Sequence, residues 1–408
     1  MAERSARESS IDLVRGADVL LMLFVNEMAG VHGTPAFLLH KPHDADGMTI
    51  TDVVFPAFLF ITGLAIPFAL GGRLRRGDTS GVWRHIAGRT LALLVMGVLM
   101  VNAEQPGAGG PISSDLWNAL TSVGVVLVWL APPRDGPARW RLWLRIAGAG
   151  LLVALVFLYR SRDATGLIQI RPHWWGILGL IGWAYLIAAS VYVLARERPA
   201  VLLGGVALLY CLYLAEEAGR AAWLVALPPS FRVGRIMASH SAVALSGTLL
   251  GVLLLRHREE GAPARRLVWT ALGYAAGLAA AGLLLHELHG LHPAFSINKV
   301  LATPAWCLLS SAATTAFWVA IFVLIDVNGW RRWPKALFIA GENALLCYLM
   351  APFLLSLFAL SAPLFGGTNL YYKLGENTAI GFVRSAVFAW IVVRLCGLLR
   401  RAGVMMKI

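Results

Sequence analysis

Residues 11–71 read IDLVRGADVLLMLFVNEMAGVHGTPAFLLHKPHDADGMTITDVVFPAFLFITGLAIPFALG. Two apolar runs, 13–29 and 53–71, enclose a loop rich in histidine and aspartate. Each run approaches the ~20 residues that a helix needs to cross the hydrocarbon core of a bilayer. Comparable runs recur to the end of the 408-residue chain, which identifies an all-α polytopic membrane protein. Charged residues make up 14% of the sequence, against roughly 25% in an ordinary soluble domain. A transmembrane β-barrel would show short alternating segments instead.

Working outward, spans are expected at 13–29, 53–71, 86–102, 115–131, 142–159, 173–194, 200–215, 238–255, 267–286, 303–325, 336–358 and 379–398. Twelve crossings is the preferred number, with ten or eleven as alternatives. Connections are short and no internal repeat is evident, so residues 1–408 read as a single membrane domain. The polar N-terminus leads directly into the first span, and no cleavable signal is expected. Cys211, Cys307, Cys347 and Cys396 all lie in apolar runs without a CxxC pair, so neither disulfides nor a metal knuckle is expected.

Lysine and arginine set the orientation. With the N-terminus in the cytoplasm, 25 of the 35 basic residues fall on the cytoplasmic side, from Arg4, Arg7 and Arg15 to Arg400, Arg401 and Lys407. This bias predicts that both termini are cytoplasmic. The net charge of +13 is therefore topological, and nucleic acid is not an expected partner. Eight of the ten histidines then face outward: His32, His40, His43, His173, His240, His286, His289 and His292.

Several polar residues in this frame can carry chemistry. Asp12 and Arg15 share one helical face at the cytoplasmic edge. They are either a snorkelling ion pair or an anion site, with Arg15 presenting a planar fork to phosphate. Asn26 lies roughly 16 Å up the same helix. It is either glue between helices or an oxyanion donor. His40 and His43, followed by Asp44, Asp46 and Asp52, suit general-base or acyl-accepting work by one imidazole tuned by a carboxylate. An H-x-x-H-D-x-D string can supply metal ligands, but nothing comparable follows at helical spacing, and no metal is expected. Pro56 should kink the second span and leave a carbonyl near Asp52 open, where it can line a cavity. Asn298 and Lys299 precede the tenth span on the outer side and are candidates for substrate binding or for snorkelling. Glu342 and Asn343 sit near the inner end of the eleventh span, where ionisable residues are functional candidates.

The run IDLVRGADVLLMLFVNEMAG, followed by LLHKP and DGMTITDVVFPAFLFITGLAIPFAL, resembles the transmembrane acyltransferases related to heparan-α-glucosaminide N-acetyltransferase. SINKVLATPAW and GENALLCYL resemble later signatures of that family. The resemblance implies transfer of an acetyl group from cytosolic acetyl-CoA to an acceptor across the membrane. It also implies a catalytic histidine after the first span in an H-x-P context, which His40 matches and His43 does not. Asn26 matches the family's asparagine, and Asp12, Arg15 and Gly16 match its D-x-x-R-G motif.

Combining both readings, Arg15, Arg75 and Arg76 would hold CoA phosphates and Asp12 would steady Arg15. His40 would deprotonate the acceptor or carry the acetyl group, Asn26 would donate to the thioester oxyanion, and Asp52, Asp44 or Asp46 would orient the imidazole. His43, Asp44, Asp46, Asn298 and Lys299 would meet the acceptor. No counterpart of the long luminal domain of the animal enzymes is expected, so a cell-envelope sugar is the expected acceptor and the bacterial inner (plasma) membrane the expected location. Partners are then acetyl-CoA, a small carbohydrate-like acceptor, the lipid bilayer and, in one arrangement, a second copy as a homodimer. The rival readings are a transporter or flippase that uses Arg15 and Glu342 as ion-coupled switches, and a membrane scaffold whose outer loop binds a partner.

Overall fold

Among the described residues, fifteen α-helices follow one another: α1 Ser9–Met28, α2 Ile50–Arg75, α3 Thr79–Ala103, α4 Ser114–Val128, α5 Arg139–Leu158, α6 Gly176–Ala195, α7 Pro199–Glu217, α8 Ala222–Val225, α9 Ser239–Glu259, α10 Ala264–His286, α11 Pro304–Phe322, α12 Lys335–Glu342, α13 Ala344–Ser361, α14 Leu370–Lys373 and α15 Thr378–Arg401. The structure, a computed structural model, describes residues 9–408 except 105, 108–109, 132–138, 163–165, 221, 331 and 407. Arg4, Arg7, Arg134, Arg331 and Lys407 of the charge count lie outside the described residues. Among the described residues there is no strand, and the protein is an all-α polytopic membrane protein.

Among the described residues, ten helical segments are long and apolar enough to cross a membrane, against the preferred count of twelve. The two others correspond to α1, which carries Asp12, Arg15, Asp18 and Glu27, and to α4, which has 15 residues. The expected span 336–358 is also not continuous. Asn343 leaves helical geometry at φ −126° and ψ 35°, separating α12 from α13. Glu342 therefore ends a short helix ahead of the crossing segment Ala344–Phe365, and it pairs with Arg400. It lies outside the segment that is long and apolar enough to cross.

The described chain forms two compact units. The first comprises Met1–Asp18, Ala36–Leu94 and Leu180–Trp333, and the second Val19–Pro35, Val95–Gly179 and Pro334–Ile408.

In the first unit, α2 packs along α9, which is almost wholly buried. Small residues permit this approach: a Cβ on Gly63 would lie 1.7 Å from the Ala244 carbonyl oxygen, and one on Gly247 would lie 1.9 Å from that of Phe60. Gly247 and Gly251 form a small-x-x-x-small step, the spacing that lets membrane helices bring their backbones together.

Two prolines inside α2 explain its side-chain partners. Proline has no N–H, so it frees the carbonyl four residues earlier. Pro67 frees that of Gly63, which accepts from the Thr248 hydroxyl on α9 at 3.1 Å. Pro56 frees that of Asp52, as its position predicts. The Asp52 carbonyl accepts from the Trp306 indole N–H on α11 at 3.2 Å. Both prolines sit within one unbroken helix because each orphaned acceptor finds a buried donor.

In the second unit, α4 packs on α5 and α13, and α15 packs on α12 and α13. Arg384 of α15 is buried, donating to the carbonyl oxygens of Glu27 at 2.8 Å and Tyr371 at 3.2 Å.

Candidate active site

The first unit builds a polar site where the loop before α2 meets the loop before α11. Gly47 adopts φ +114°, which favours glycine. Its N–H donates to the Ile297 carbonyl at 2.8 Å, and the Ile297 N–H returns a bond to Asp46 Oδ1 at 2.8 Å. Asn298 completes the interlock. Its side-chain amide donates to the carbonyls of His43 at 2.8 Å and Ala45 at 3.1 Å, and its Oδ1 accepts from Leu301 N–H at 2.9 Å. Ala302 closes this second loop in the left-handed region at φ 52°, a conformation that costs a non-glycine residue energy and marks a tightly determined turn.

Asp52 stands at the third position of α2. Its Oδ2 accepts the N–H of Thr49 at 3.0 Å and of Lys41 at 3.2 Å, so the carboxylate caps the helix and holds the loop against it. Its Oδ1 lies 2.8 Å from His40 Nδ1. An ionised carboxylate only accepts, so Nδ1 carries the proton and Nε2 presents a lone pair. The Asp52 side chain is 1% exposed and that of His40 44%. A buried carboxylate thus orients an accessible imidazole, the arrangement of a general base or nucleophile.

Lys299 Nζ lies 3.0 Å from His40 Nδ1, 3.2 Å from Nε2 and 3.9 Å from Asp52 Oδ1. The in-plane lone-pair directions of two ring nitrogens diverge, so one atom this close to both rests against the ring rather than on both axes. Burial lowers the Lys299 ammonium from its ordinary value to about 8, opposed by the attraction of Asp52. It can therefore change charge in a range where reactions run.

The expected site residues divide between the units. His40, Asp52, Lys299, Asn298, His43 and Asp46 belong to one constellation, although Asn298 uses its amide to join the loops, while His43 contributes its backbone carbonyl. Asp44 is exposed beside them. Asp46 faces His286, its Oδ2 2.7 Å from Nε2, and Asp52 is the carboxylate on His40. Asn26 belongs to the second unit, where with Glu27, Glu104, Asn118, Tyr348 and Pro352 it lines a cavity of about 300 Å³. Asp12 and Arg15 pair at 3.2 Å. Arg75 is engaged by Glu259 at 3.3 Å and Glu197 at 3.4 Å, whereas Arg76 is exposed. Sequence reading missed Trp306 and Thr49 as supports of Asp52. Thr49 carried a signal, since a threonine three residues before a carboxylate at the start of an apolar run is a capping pattern.

Residues 7–226 match the family described as a domain of unknown function, DUF5009. The chain is also similar to heparan-alpha-glucosaminide N-acetyltransferase of Homo sapiens, with 32% identity over 383 residues, 84% of this chain and 52% of that protein. Identity to the protein of that name from Mus musculus is 23% over 376 residues, 83% of this chain and 52% of the relative. The chain thus spans about half the length of these relatives.

Proposed function

Since the chain belongs to the DUF5009 family and is homologous to heparan-alpha-glucosaminide N-acetyltransferase, we propose that it is a transmembrane acetyltransferase. It moves an acetyl group from acetyl-CoA, bound from the cytoplasm, to an amine or hydroxyl of a carbohydrate-like acceptor on the outer side. The observation that carries this reading is the Asp52–His40 pair, Oδ1 to Nδ1 at 2.8 Å, with Lys299 Nζ 3.2 Å from the ring's Nε2.

Asp52 Oδ1 holds Nδ1–H, which fixes the tautomer and steadies the imidazolium that forms. His40 Nε2 takes the proton of the acceptor amine or hydroxyl as that atom attacks the thioester carbonyl. A C–N or C–O bond forms, the carbon–sulfur bond breaks, and the proton held on Nε2 leaves with the CoA thiolate. In the two-step version, Nε2 itself attacks the thioester carbonyl and the carbon–sulfur bond breaks to release the CoA thiolate; the acceptor then attacks the acetyl carbon, the acetyl–Nε2 bond breaks, and the acceptor's proton passes to the freed Nε2 and on to the thiolate. The Lys299 ammonium supplies positive charge beside the developing oxyanion. Arg15 and Arg76 are the basic residues proposed for the CoA phosphates. The basic-residue bias supports cytoplasmic termini, and hence an outward-facing His40. A bacterial inner membrane and a cell-envelope acceptor complete the proposal.

The test is purified protein in detergent with acetyl-CoA and a panel of amino sugars. Release of CoA that needs both substrates and is lost in His40→Ala supports transfer. Acetyl-CoA that neither binds nor protects against thermal unfolding would leave transport without covalent chemistry as the better account.

A further inference from the structure

Asp46 turns toward the end of α10, 240 residues away in sequence. Its Oδ2 lies 2.7 Å from His286 Nε2, and the His289 ring stacks on that of His286 at 4.8 Å with 14° between their planes. One donor atom from each of the three residues falls within 4.8 Å of the others. We propose that Asp46, His286 and His289 form a binding site for a divalent transition metal of the zinc class, which ties the loop carrying His40 to the C-terminal end of α10.

The donor set selects the ion. Two imidazoles and one carboxylate suit zinc and its neighbours, whereas calcium and magnesium prefer all-oxygen shells. Three protein ligands leave a fourth tetrahedral position for water.

The surroundings already orient the ligands. Asp46 Oδ1 is held by the Ile297 N–H at 2.8 Å, which leaves Oδ2 toward His286. His289 Nδ1 donates to the His286 carbonyl at 2.8 Å, so its Nε2 presents a lone pair. A backbone carbonyl on the second ring nitrogen is the usual support of a metal-binding histidine. His286 stands in the last turn of α10, where the helix dipole favours a cation. The nearby His292 is committed elsewhere, accepting from Ala294 N–H through Nδ1.

A metal here would act on position rather than on bond-making. Asp46 and Gly47 share their bonds with Ile297, two residues before Lys299. Fixing Asp46 to α10 would therefore hold both loops that frame His40. The inference does not depend on acetyl transfer.

The test uses the full chain in detergent without a polyhistidine tag, stripped with a chelator and titrated with zinc against a chromophoric competitor. Binding of one zinc per chain is expected, about tenfold or more weaker in His286→Ala and His289→Ala, and unchanged in His257→Ala. Zinc should raise the unfolding temperature of the unmodified chain by mass action, and cobalt should give a visible absorption that the same two variants lose. His289→Gln, at an exposed position, guards against a folding defect and should lose zinc without changing the unfolding temperature in chelator. Zinc binding that survives both alanine substitutions, that falls equally in His257→Ala, or that magnesium matches would overturn the site.

Discussion

Each unit holds a cluster of one carboxylate, one ring and one cation, and the two clusters differ in what they leave open. In the second unit, the Tyr371 hydroxyl donates to Glu27 Oε2 at 2.5 Å, and Arg384 stacks 4.5 Å over the phenol ring while bonding two carbonyls. Burial and the Glu27 carboxylate push the Tyr371 phenol up, and a guanidinium stays charged at any ordinary pH. The phenol of that cluster therefore exchanges no proton near neutrality. In the first unit the carboxylate is buried, but the ring is an imidazole with an accessible nitrogen and the cation is a lysine lowered to about 8. The same three kinds of group thus make a clamp in one place and the proposed reactive centre in the other. What decides is the exposed atom and the pH range in which its neighbours titrate.

The largest way to break this contrast is His40→Ala. CoA release should fall to background, since a positioned general base contributes about 10²–10⁴-fold, while thermal unfolding stays close to that of the unmodified chain. An active His40→Ala protein would make the first cluster another clamp. Next comes Asp52→Asn. The amide oxygen can still accept the Thr49 N–H, but the amide nitrogen cannot accept from His40 Nδ1, so the tautomer is no longer fixed. A fall in kcat of about 10²-fold or more is expected, with KM little changed. An equal rise in KM at constant kcat would reassign Asp52 to acceptor binding.

The third effect is smaller and lies in pH. Lys299 is lowered, so its ammonium is present below about 8 and lost above it. If that charge steadies the oxyanion, activity falls as pH rises through about 8. Lys299→Met should be slower below that point and show no alkaline limb. An unaltered limb in Lys299→Met would assign it to another group.

The helices were legible because apolar length is written locally, and so was the orphaned Asp52 carbonyl, because Pro56 creates it within the same helix. Its partner Trp306 was not, since 254 residues separate them. The His40–Asp52 pair lies within reach of sequence reasoning at twelve residues, but choosing Asp52 over Asp44 and Asp46 required the turn at Gly47, which sends Asp46 away. Asn343 was read as part of a continuous span because GENALLCYLM is apolar around it, and the break is a backbone feature without a composition signal. The second cluster was invisible: Glu27, Tyr371 and Arg384 lie in segments that only the tertiary fold brings together.

The smallest predicted effect on activity is therefore also the sharpest test of the contrast. Tyr371→Phe removes one hydroxyl, keeps the ring under Arg384, and leaves Glu27 Oε2 without the phenol donor. A hydrogen bond to a charged group contributes about 1.5–3 kcal/mol, so the variant should unfold at a lower temperature and at lower denaturant. Its rate of CoA release and its pH profile should match those of the unmodified chain, because the phenol exchanges no proton in the working range. Stability and catalysis would then separate cleanly between the clusters, with Tyr371→Phe moving only the first quantity and His40→Ala only the second. A Tyr371→Phe protein of normal stability but altered pH profile would show that the second cluster takes part in proton transfer.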